Sequence, residues 1–183
     1  MASESIAFIN VNVVPMAAEI VVEQQTVVVR NGKIAAIGPV DGVPIPEDAI
    51  VVDGTDRYLM PRLAEMHAHV PDADSPEVGR YFNLYVANGV TMIRGMLGRP
   101  SHIDLRERLE RGEAFGPRLV TSGPSINGRS VEGAEQARRM VRDQHATGYD
   151  FVKIHPGPTR DEFEAVAETA NGLGMPFAGH VPV

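Results

Sequence analysis

The chain has 183 residues, of which 43% are hydrophobic, 5% aromatic and 22% charged, and its formal net charge is −7. No apolar run reaches the ~20 residues of a membrane helix. The first twenty residues carry Glu4 and Glu19 with no basic segment ahead of an apolar stretch, and the lack of cysteine excludes disulfides, thiolate metal sites and a cysteine nucleophile. An acidic balance without a Lys/Arg stripe argues against nucleic acid as a partner. The expectation is a soluble, cytoplasmic protein, off the membrane, whose chemistry rests on His, Lys, Asp, Glu and backbone.

The first sixty residues read as short strands and turns. Val27 to Arg30 runs into Asn31-Gly32, and Lys33 to Ile37 follows before Gly38-Pro39. Two β-rich runs joined by Asn-Gly are a strong hairpin signal. Residues 41–48 hold Gly42, Pro44 and Pro46 and read as loop; Ile50-Val51-Val52 returns to strand before Asp53-Gly54. This half is too short to bury much apolar surface by itself.

From Met60 onward the rhythm becomes strand, loop, helix. Strand-like runs begin near Leu63, Val90, Leu119, Phe151 and Phe177, a spacing that fits parallel βα units. Ser75-Pro76-Glu77 predicts a helix start, with Val78, Phe82 and Tyr85 on its apolar face and Gly89 as its stop. Residues 132–147 predict a second helix with Ala134, Ala137, Met140 and Val141 inward and Gly148 after it. Thr159 and Glu162 form a capping box for another, with Phe163, Val166, Ala167 and Ala170 on one face and Gly172 closing it. Five strands alternating with four helices point to the first part of a (β/α)8 TIM-type barrel. An open, doubly wound α/β sheet is the alternative. A full barrel takes about 250 residues, so the barrel is expected to be incomplete at Val183.

Three places carry chemistry. His67 and His69 stand two apart at the end of the Leu63 strand, so both imidazoles share a face and can hold a divalent cation. Solvated or hydrogen-bonded histidines are the plainer reading of that pair. Lys153 lies amid strand residues in Asp150-Phe151-Val152-Lys153-Ile154-His155. A buried ammonium must be paired, neutralised or chemically altered; carbamate formation with carbon dioxide is one solution, snorkelling to water another. His180, beside Gly179, ends the fifth strand. Strands one, four and five would thus bring ligands to one rim, the edge where barrels place their chemistry.

These residues carry a resemblance. Leu59-Met60-Pro61-Arg62-Leu63-Ala64-Glu65-Met66-His67-Ala68-His69 resembles the first barrel strand of the metal-dependent amidohydrolase superfamily. Arg30-Asn31-Gly32-Lys33-Ile34-Ala35-Ala36-Ile37-Gly38 is similar to the β-sandwich segment that precedes that barrel. Gly148 to Ile154 resembles the strand with the carboxylated lysine, and Gly179-His180-Val181-Pro182 resembles the next histidine strand in the imidazolonepropionase-like and Xaa-Pro dipeptidase-like branch. The resemblance implies a β-sandwich-like segment over 1–60 and a partial barrel over 61–183. It implies His67 and His69 on the more buried metal, Lys153 bridging as a carbamate, and His180 on a second metal, with zinc as the ion. The implied reaction is hydrolysis of an amide-like, cyclic amide, urea-like or dipeptide bond in a small molecule by a metal-activated water.

There are departures. The family's further histidine ligand and late-strand catalytic aspartate lie beyond the chain end, so no catalytic residue is assigned and the chain alone is expected to bind zinc poorly and to be inactive. Arg62 stands where the family has glycine, which predicts strain if that turn needs positive φ, and Arg94 is followed by Gly95 rather than aspartate. Arg99, His102, Asn127, Arg129 and His155 are candidates for substrate contact on loops. The alternative function is a non-catalytic half-barrel that pairs with a second copy or with a complementing C-terminal chain.

Overall fold

The computed structural model of the chain describes residues 5–181, so Glu4, Pro182 and Val183, all cited above, lie outside the described residues. The chain divides after Pro61 into two units.

In the first unit, β1 (Ser5–Val13) sends Ala7, Val11 and Val13 inward. It pairs antiparallel with β2 (Val22–Arg30), and β2 pairs antiparallel with β3 (Lys33–Pro39). The β2–β3 connection is the expected Asn-Gly turn, with both residues at positive φ (51° and 71°), the geometry of a primed hairpin turn. On its other side β1 takes β4 (Ile50–Asp53) and β5 (Tyr58–Leu59) in parallel. The sequence reading names no strand over residues 5–13, yet β1 is the centre of this sheet. Asn10 and Asn12 interrupt its apolar alternation, and the register shifts between Phe8 and Val11, where Asn10 adopts φ 54°, as at a β-bulge. The buried cluster of this unit is small: Val11, Val13 and Val27.

The second unit alternates strand and helix throughout: β6 (Leu63–Ala68), α1 (Val78–Ala87), β7 (Val90–Gly95), α2 (Ser101–Glu110), β8 (Arg118–Thr121), α3 (Ala134–Thr147), β9 (Val152–Ile154), α4 (Arg160–Gly172) and β10 (Phe177–Gly179). Strands β6, β7 and β8 pair in parallel, as do β9 and β10. Parallel bridges Ser122↔Phe151 and Ile126↔Ile154 join the two groups. Phe82, Leu105, Ile93 and Leu119 form one core beneath α1 and α2; Val141, Val152, Ile154 and Val166 form another beneath α3 and α4. The described residues therefore form a mixed α/β structure with several sheets and four helices. No helix of the described residues is long and apolar enough to cross a membrane.

Several local expectations need correction. Ser75 closes a turn rather than opening the helix: its Oγ accepts from the Glu77 N–H at 3.3 Å and its carbonyl from Val78 at 3.2 Å, and α1 begins at Val78. The stop of α4 is Gly174, not Gly172; Gly172 is still helical, whereas Gly174 takes φ 64°, the left-handed conformation that ends helices. Arg62 is absent from the positive-φ residues, so the turn into β6 needs no glycine there. Strand β6 is not buried on both faces as a parallel strand should be: Leu63 and Met66 are 47% and 46% exposed, and among the described residues β6 pairs with β7 alone.

Glu162 links two helices. Its carboxylate accepts the Thr159 N–H at 2.7 Å, completing the predicted capping box of α4, and also accepts the Gly133 N–H at 2.7 Å, at the start of α3. Those backbone donors, with the Thr159 hydroxyl, hold its pKa below the usual carboxylate value. The stabilisation is then complete above the unfolded carboxylate value of about 4.3 and is lost as pH falls through the lower folded value. Glu162→Gln should melt below the parent protein at neutral pH, with the gap closing in acid. Thermal melts across pH test this, and a gap that stays constant down to the acid limb would contradict it.

Candidate metal centre

The site grows out of strand direction. In parallel strands all carboxyl ends lie at one edge, and here that edge carries His67 in β6 with His69 just after it, Lys153 in β9 with His155 just after it, and His180 directly after β10. Strands at about 4.8 Å spacing would set β6 and β10 roughly 19 Å apart if the row were flat. Instead the rings of His67 and His180 lie 6.3 Å apart. The row of strands curls, and its ends approach at this edge.

Within the edge, register fixes the spacing. His67 and His69 project from the same side, with ring centres 5.3 Å apart. Two imidazoles on one tetrahedral zinc, with Zn–N of about 2.0–2.1 Å, hold their ring centres about 5 Å apart. The Glu65 carboxylate accepts the His67 N–H at 2.7 Å and steadies that turn. On the other side, Ala178 is the register partner of Lys153 and Gly179 that of Ile154, so His180 falls beside His155. Their rings are 4.9 Å apart. The His180 N–H donates to the Ile154 carbonyl at 2.9 Å. Gly179 is required at this crossing, since a Cβ there would fall on the Ile154 carbonyl oxygen.

Lys153 is completely buried. Its Nζ lies 3.4 Å from Nδ1 of His180, and no carboxylate pairs with it among the described residues. Burial, with the nearby positive charge of Arg94, pushes its pKa below the ordinary lysine value. Desolvation and the charges of Lys153, His69, His180 and Arg94 likewise hold His67 below the ordinary imidazole value, and His155 is lowered by desolvation, Lys153 and the other imidazoles. Each shift favours the neutral form, and neutral imidazole is the form that binds cations. As the side chains stand, no three His, Asp or Glu residues among those described close around a single point. Two pairs of imidazoles with a buried amine between them nonetheless fit a divalent cation by donor type and by spacing.

The sequence-predicted residues His67, His69, Lys153 and His180 are thus brought to one edge. Of the loop candidates, only His155 joins them. His102 does not: it is fully buried on α2, its Nδ1 accepting from Arg99 N–H at 3.3 Å and its Nε2 meeting the Pro71 carbonyl at 2.8 Å. That pairing puts the proton on Nε2, and burial keeps the ring below its ordinary pKa. Asn127 serves its own turn, accepting from Arg129 N–H at 2.9 Å, and Arg99 is held in an exposed pair with Asp72 at 3.7 Å. The residue missed as part of the site is Arg94. Its Nε donates to the Met66 carbonyl at 2.9 Å and its guanidinium lies 5.6 Å from the centre of the Phe151 ring, tying β6 toward β9. An arginine inside a parallel strand was the signal.

Comparison with solved structures places this arrangement. The chain superposes with a TM-score of 0.85 on the crystal structure of a prolidase complexed with N-methylphosphonate-L-proline, at 18% identity, covering 97% of this chain and 56% of that one. Phenylurea hydrolase B matches with TM-score 0.82 at 22% identity, covering 97% and 55%. A Xaa-Pro dipeptidase with bound methionine matches with TM-score 0.79 at 20% identity, covering 97% and 57%. The chain has the fold of an N-terminal portion of these structures. It spans a little over half the length of the chains it matches. No family model matches the sequence, and no curated protein matches it significantly.

Two substitutions probe this part of the fold. His102→Leu strands the Pro71 carbonyl and the Arg99 N–H, and should lower stability by about 1–3 kcal/mol in urea unfolding without altering metal retention; a change in metal retention would return His102 to the site. Gly179→Ala forces β10 away from β9 and should cost about 3 kcal/mol, seen as a lower melting temperature. A melt like that of the parent would show that the close crossing is not required.

Proposed function

We propose that this chain is part of a metal-dependent hydrolase of carbon–nitrogen bonds, with residues 1–60 as a β-sandwich-like segment and residues 61–183 as the first five strands of a (β/α)8 barrel. The observation that carries this reading is Lys153, buried without a carboxylate partner at the edge where the imidazoles meet. A lone buried ammonium is strongly disfavoured. Attack of neutral Nζ on carbon dioxide forms one N–C bond as one C=O π bond breaks and its electron pair moves to oxygen; loss of one N–H proton to solvent then leaves an anionic carbamate in place of that cation. Arg94, which disfavours the ammonium, favours the anion.

In this reading His67 and His69 would hold one zinc ion, His180 would hold a second, and Lys153 as a carbamate would supply an oxygen donor. Zinc suits a donor set of imidazole nitrogens and carboxylate-like oxygen. A divalent cation there supplies an acidified water and a charge that polarises the scissile carbonyl. The chain's own residues prepare the place. His67 stays neutral through desolvation and its cationic neighbours, Arg94 fixes the end of β6 through Met66, and Gly179 lets β10 lie close enough to present His180. The substrate is a small amide-like molecule. The names of the structures that share the fold, a prolidase, a Xaa-Pro dipeptidase and a phenylurea hydrolase, support that class.

The modification can be read directly. Intact mass under native, bicarbonate-containing conditions should show an increment of one carbon dioxide that acid removes and that Lys153→Ala lacks. The same substitution should sharply reduce zinc retention. An unmodified Lys153, together with zinc retention equal in parent and Lys153→Ala, would overturn the reading.

A further inference from the structure

The imidazoles at the mouth form two pairs, and only one is accounted for so far. His67 and His69 belong to one strand. His155 and His180 belong to neighbouring strands, one step past the register pair Ile154↔Gly179. Their ring spacing of 4.9 Å is close to the 5.3 Å of the first pair, whereas the gap between pairs, His67 to His180, is 6.3 Å. The second pair is also the better anchored. The His155 N–H donates to the Ile126 carbonyl at 2.9 Å, Ile126 N–H donates to the Lys153 carbonyl at 2.9 Å, and His180 N–H donates to Ile154 at 2.9 Å. Both backbones are therefore held by the segment after β8 and by the β9–β10 ladder. Lys153 and His155 lie two apart, so their side chains share a face, and Ala178, opposite Lys153, leaves room beside the amine.

We propose that His155 is a metal ligand which, with His180, forms a cross-strand seat for a second divalent cation, separate from the His67–His69 seat. This rests on the metal-dependent reading of the site and adds to it a ligand from β9. The Lys153 amine lies 3.4 Å from His180 Nδ1, where an oxygen anion carried on it would add a donor to the His155–His180 pair. In this arrangement the second ion takes two nitrogen donors from described residues, and the two ions are lost independently on mutation.

The test uses the 183-residue chain and zinc alone, by equilibrium dialysis in bicarbonate buffer up to millimolar free zinc, alongside imidazole ¹H–¹⁵N spectra. The parent should take up about two zinc ions per chain, weakly but saturably, with His155 and His180 resonances shifting in one phase and His67 and His69 in the other. His155→Phe keeps the aromatic contact with His180 but removes the donor, so it should lose one ion while its melting temperature and the His67–His69 phase remain. His67→Phe should lose the other ion. Retention of both ions in His155→Phe, or a single ion untouched by it, would overturn this inference while leaving the proposed function standing. A parent chain that takes up no zinc at all would likewise overturn this inference, whereas the proposed function is decided by the carbon dioxide increment on Lys153.

Discussion

Parallel strand direction is the constraint on which the site depends. It places every carboxyl terminus at one edge, and it makes the side chains at neighbouring termini line up by register. The His155–His180 spacing is essentially the distance between adjacent strands, expressed one residue past the last ladder pair. The contact between His67 and His180 needs something more, a row of five strands that curls. The bridges at Ser122 and Ile126 supply the continuity that carries this curvature from β8 into β9. Helices α1 to α4 cover the outer face, so the inner face is left to polar groups that a flat, doubly covered sheet would exclude.

Lys153 is the sharpest consequence of that geometry. Its neighbours in the strand, Val152 and Ile154, point outward into the α3–α4 core, and alternation then forces Lys153 inward. Nothing acidic meets it there. Imidazoles and Arg94 do, so burial and the Arg94 charge oppose its own charge rather than support it. A strand that buries lysine with no anion beside it is poorly suited to simple structural service. It is well suited to a group whose charge changes sign.

Much of this was legible in the sequence because it is local. The Asn31-Gly32 turn, the Thr159–Glu162 capping box and the His67/His69 pairing depend on residues within a few positions of one another. The limits lie where distant residues decide. Helix α2 has a mixed surface, so no periodicity singled it out, and His102 looked like a loop residue until its bonds to Pro71 and Arg99 were visible. Strand β1 is masked by its asparagines. Ser75 and Gly172 are good cap residues displaced by a turn and by a better glycine two positions on. Arg94 and the partnership of His155 with His180 depend on cross-strand register, which no single stretch of sequence contains.

Glu162 has an effect that reaches beyond its own helix. By accepting backbone donors at the starts of both α3 and α4 it rivets the pair together, and β9 rests against that pair through Val152 and Ile154. Fraying of one helix end therefore does not tilt the strand. Its alignment fails only when the two helices detach in a single cooperative opening, so the spacing of the groups on β9 inherits the rigidity of a larger body than the three-residue strand that bears them.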